Sequence, residues 1–110
     1  MIDLTLNLYT DAKIDDTVIR RSIFSKDPIL IFLDDTTSDS VYRTLNLSRA
    51  YSKDVLTMRR FDINQAFAYL LSFSDLNNKH ILFMAPASSK NSAVKYAKQL
   101  ISTIEAATAA

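Results

Sequence analysis

The stretch at residues 28–39, PILIFLDDTTSD, decides how the rest of the chain is read. Ile29, Leu30, Ile31, Phe32 and Leu33 follow a proline and run directly into Asp34 and Asp35. An apolar run that short, with no polar side, is the pattern of a strand buried on both faces in the middle of a parallel sheet. Open α/β sheets bind their ligands beyond the carboxyl ends of the strands. The aspartates therefore mark a candidate site as well as a strand end.

A second run of the same kind lies at residues 80–85, HILFMA, and stops at Pro86. Residues 2–9 differ, because Ile2, Leu4, Leu6 and Leu8 alternate with Asp3, Thr5, Asn7 and Tyr9. Period two with one apolar side describes a strand near a sheet edge. Residues 55–61, VLTMRRF, are strand-like and end in two arginines. Helical spacing fills the intervals. Asp15 and Asp16 can cap a helix to about Phe24, and Ser38 or Asp39 can cap another over about residues 40–51. Asp62 followed by Gln65 resembles a capping box, and opens a helix that buries Ile63, Ala66, Phe67, Leu70, Leu71 and Ser74. Ser88 and Ser89 can cap the last helix, with Ala93, Ala97, Leu100, Ile101 and Ile104 inward and residues 105–110 fraying.

The pattern is β-α-β-α-β-α-β-α. Residues 1–110 are read as one α/β domain, a three-layer α/β/α sandwich with a small, mostly parallel sheet of about four strands. The two most apolar strands should be interior. A flavodoxin-like strand order, 2-1-3-4, is the expectation, with a thioredoxin-like order and an antiparallel first strand as the alternative.

Composition excludes several chemistries. The chain has no glycine, against a usual share of about 7%. A P-loop, a dinucleotide fingerprint and a G-x-S-x-G elbow all require glycine and are ruled out. Left-handed turns must fall to Asn, Asp or Ser, and Asn77-Asn78 is the expected place. There is no cysteine, which removes disulfides, thiolate metal sites and cysteine nucleophiles. Thirteen basic residues against 12 acidic ones leave no global field that would draw nucleic acid or an anionic membrane. No apolar run nears the ~20 residues of a membrane span. No signal peptide is recognisable, and a cytoplasmic setting is expected.

Four residue groups could carry function. Asp34, Asp35 and Asp39 gather at the end of the central strand, where carboxylates could hold Mg²⁺ with several waters. Such residues also cap helices and shape strand-to-helix turns. The acidic pair superficially resembles that of response-regulator receiver domains. The phosphoacceptor position of that family falls on Ala85-Pro86-Ala87 here, so the likeness ends there. A haloacid-dehalogenase motif needs aspartates two apart, whereas these are adjacent. Ser88, Ser89 and Lys90 could hold a phosphate at a helix start, or simply cap it. Arg43, Arg49, Arg59 and Arg60, with Tyr42 and Tyr51, form the one basic and aromatic concentration and could meet nucleic acid. Tyr69, Phe73 and Leu76 add apolar surface beyond the inward stripe, to cover the sheet or to bind a partner. His80, the only histidine, starts a strand and is expected to be solvated or bonded to a turn.

These readings favour a small non-enzymatic binding or regulatory module that works through protein contacts, as a homodimer and without a cofactor. The alternative is a Mg²⁺-dependent phosphate- or nucleotide-handling protein built on Asp34 and Asp35. A third reading is a nucleic-acid-binding accessory protein.

Overall fold

The two runs without a polar side become the two interior strands. The computed structural model describes residues 2–9, 28–34 and 54–108. Within them, β1 (Asp3–Tyr9), β2 (Ile29–Leu33), β3 (Val55–Met58) and β4 (His80–Pro86) form one sheet in the order β1-β4-β2-β3. Every neighbouring pair is parallel. Helix α1 (Ile63–Leu71) connects to β4 through a 3-10 turn at Leu76–Asn78. Helix α2 (Lys90–Thr108) follows β4 after a second such turn at Ala87–Ser89. The helices expected at residues 15–24 and 40–51 lie outside the described residues.

The expected order 2-1-3-4 is corrected, and so is the antiparallel alternative. An order of 2-1-3-4 would put β1 inside, although its alternating pattern leaves one side polar. The observed order gives the interior to β2 and β4, in which every residue is buried. Burial selects the order here: a residue that must be covered above and below goes to the middle.

The register aligns side chains in rows across the sheet. Leu6, Phe83, Ile31 and Leu56 form one row, and Asn7, Met84, Phe32 and Thr57 form the next on the opposite face. Ile29, Ile31, Ile81, Phe83 and Ala85 meet the helices in one cluster with Ala66, Leu70, Ala93, Leu100 and Ile104. Leu30, Phe32, Leu82 and Met84 alternate with them and point the other way, yet each is at most 1% exposed. The sheet is thus buried on both faces. Each such side chain contributes roughly 1.5–3 kcal/mol of burial.

β1 departs from the sequence expectation. Its leucines Leu4, Leu6 and Leu8 are only half-buried, while Asn7 and Tyr9 on the polar side are buried. Tyr9 is the reason. Its hydroxyl donates to the Leu33 carbonyl at 2.6 Å, and its ring stacks on Phe32 at 5.2 Å. The side chain therefore reaches over β4 and ties β1 to β2, which are not neighbours in the sheet.

The helices hold to their patterns with three differences. Asp62 caps α1, accepting from the backbone N–H groups of Asn64 at 2.9 Å and Gln65 at 3.3 Å. The helix ends at Leu71 rather than Ser74, closed by Ser72, whose hydroxyl donates to the Tyr69 carbonyl at 2.6 Å. Leu71, expected inward, is 49% exposed, because one further residue in the helix rotates it off the face of Leu70. Helix α2 runs on to Thr108 instead of fraying at 105, through alanines with the highest helix propensity. Asn77-Asn78 makes no left-handed turn. The chain turns there in a 3-10 step, with Asn78 Nδ2 donating to Asp75 Oδ1 at 2.6 Å.

Two substitutions separate packing from the Tyr9 tie. Phe83 is fully buried, and Phe83→Ala is expected to cost about 3–5 kcal/mol in urea unfolding. Tyr9→Phe keeps the stacked ring and leaves the Leu33 carbonyl without its donor, for an expected loss of about 1–3 kcal/mol. A Tyr9→Phe variant as stable as the wild type would remove the hydroxyl tie from the account.

Candidate functional site

The carboxyl edge of the sheet is where the polar groups converge. β2 and β4 are adjacent and parallel, so the chain after Leu33 and the chain after Pro86 leave the sheet side by side. This brings Asp34 to the same edge as the Ala87–Ser89 turn and Lys90 at the start of α2. The Asp34 N–H donates to the Met58 carbonyl at 2.7 Å, which locks the exit of β2 to the exit of β3. Arg59 and Arg60 follow Met58 directly and are exposed. One aspartate, two serines, a lysine and two arginines therefore share an edge.

The groups proposed from sequence fare differently. Asp34 is half-buried, while Asp35 and Asp39 lie outside the described residues. Among the described residues there is no group of three His, Cys, Asp or Glu side chains able to hold a metal ion. Ser88 and Lys90 are exposed and Ser89 is half-buried. Arg43 and Arg49 lie outside the described residues, as do Tyr42 and Tyr51. Leu76 is a core residue at 6% exposure and offers no contact surface. Tyr69 and Phe73 are half-buried against the same core, ring edge to ring face at 5.3 Å. Lys79 Nζ stands 5.7 Å from the Phe73 ring centre.

His80 corrects the expectation of a solvated histidine. It is buried, and its Nδ1 meets Asp3 Oδ2 at 2.9 Å. The register that places Asp3 beside His80 sets this pair at the amino end of the sheet. The histidine and the carboxyl-edge polar groups are thus at opposite ends of the strands.

Sequence reading did not single out the surface that the strand order exposes. β1 and β3 are the two margins of the sheet. β3 has four residues and is followed by two arginines. β1 has seven, with Leu4, Leu6 and Leu8 partly buried against the core and no basic residue or proline. Among the described residues, no group pairs with the outer backbone edge of residues 4–8. The alternating pattern signalled an edge strand, but only the strand order shows which side has no strand beside it among the described residues.

No family model, no curated protein and no solved structure matches the chain. No helix among the described residues is long and apolar enough to cross a membrane.

One titration near the core follows from the geometry. Burial, and secondarily the Asp54 carboxylate, push the Tyr69 hydroxyl above its ordinary value near 10. The neutral phenol is favoured in the folded chain, so its contribution is complete below pH 10. As pH rises above that value the unfolded chain ionises first, and stability falls. Tyr69→Phe is expected to lose less stability between pH 9 and 11 than the wild type, in urea titrations at each pH. Parallel curves for the two proteins would contradict this.

Proposed function

We propose that this chain is a small non-enzymatic α/β module that acts through protein contacts, with the outer edge of β1 as its contact surface. One observation carries the reading: a seven-residue strand stands at the margin of the sheet with three leucines only partly buried. A row of backbone donors and acceptors is a template for another strand, and the pairing strand also covers the leucines. The opposite margin lacks both features, since β3 is short and runs into Arg59 and Arg60. Composition argues the same way, because a chain without glycine or cysteine has neither phosphate-cradling loops nor thiolate chemistry.

The test is affinity capture with three tagged proteins: wild type, Leu6→Lys and Thr57→Lys, each with and without nuclease. Leu6 is central in β1, and Thr57 is exposed on β3. A protein held by the wild type and by Thr57→Lys, and released by Leu6→Lys, is the expected result, untagged copies of the chain included. Identical captures by all three would overturn the reading, and captures lost to nuclease would move it to the arginines.

A second reading has one observation in its favour, the shared edge of Asp34 with Ser88, Ser89 and Lys90. It makes the chain a Mg²⁺-dependent phosphate- or nucleotide-handling protein. Under the first reading, Mg²⁺ with ATP leaves the melting temperature unchanged. A rise of several degrees, abolished by Asp34→Asn, would favour the second.

A further inference from the structure

We draw no further inference here: the strongest candidate, the cluster of Arg59, Arg60, Ser88 and Lys90 at the carboxyl edge of the sheet, rests on exposed side chains and the start of a helix, and nothing else among the described residues points to a ligand there.

Discussion

The structure depends on two strands that can tolerate water on neither side. β2 and β4 are buried along their whole length. Their position beside each other is therefore a constraint on everything else. Parallel strands cannot be joined by a tight turn, so the chain must cross over between them, and the crossing elements are what cover the faces. On the face of Ile31 and Phe83 the cover is α1, which crosses from β3 to β4, together with α2, which follows β4. The rings of Phe61, Phe83 and Tyr96 show how closely: Phe61 stacks on Tyr96 at 4.3 Å and tilts against Phe83 at 5.9 Å. Placing the apolar strands centrally also sends β1 and β3 to the margins, which is how a core requirement creates a surface.

Much of this was legible in the residues. Runs at 29–33 and 80–85 with no polar side declared two interior strands, and alternation at residues 2–9 declared an edge. Asp62 declared a helix start. What stayed hidden was information carried by single long-range contacts. Strand order is one case, because a preference for known topologies competed with the burial pattern and the pattern was right. Tyr9 is another. Its place in an alternating strand marks it as outward, and nothing local shows that it spans β4 to reach Phe32 and Leu33. His80 illustrates the same limit, since its partner Asp3 is adjacent only through the register of β1 with β4. The candidate site was legible as composition and not as a constellation: parallel pairing of β2 and β4 had to be known before Asp34 and Lys90 could share an edge.

The absence of glycine has a structural counterpart in the turns. A chain without glycine can reverse direction with right-handed steps in place of left-handed ones. It does so at Leu76–Asn78 and Ala87–Ser89, both 3-10 turns, and at Ser72, which closes α1 with φ −69° and ψ −15°. These turns satisfy part of their own backbone through i to i−3 bonds. At the described turns, a composition without glycine is thus matched by right-handed geometry.

The two margins of the sheet show how differently an exposed strand can be treated. β3 has the marks of a protected edge, four residues long and ending against two arginines whose charge disfavours another strand. β1 has none of these marks and is anchored at both ends, by Asp3 to His80 and by Tyr9 to Leu33. Anchoring matters, because a strand held straight at its two ends presents its outer backbone groups in register without first having to be ordered. The entropy of fixing those residues is met within the single chain. An edge that no described residue pairs with, and that is also preorganised, is suited to receive another strand. That asymmetry, more than any single side chain, is why β1 is the margin we propose as a contact surface.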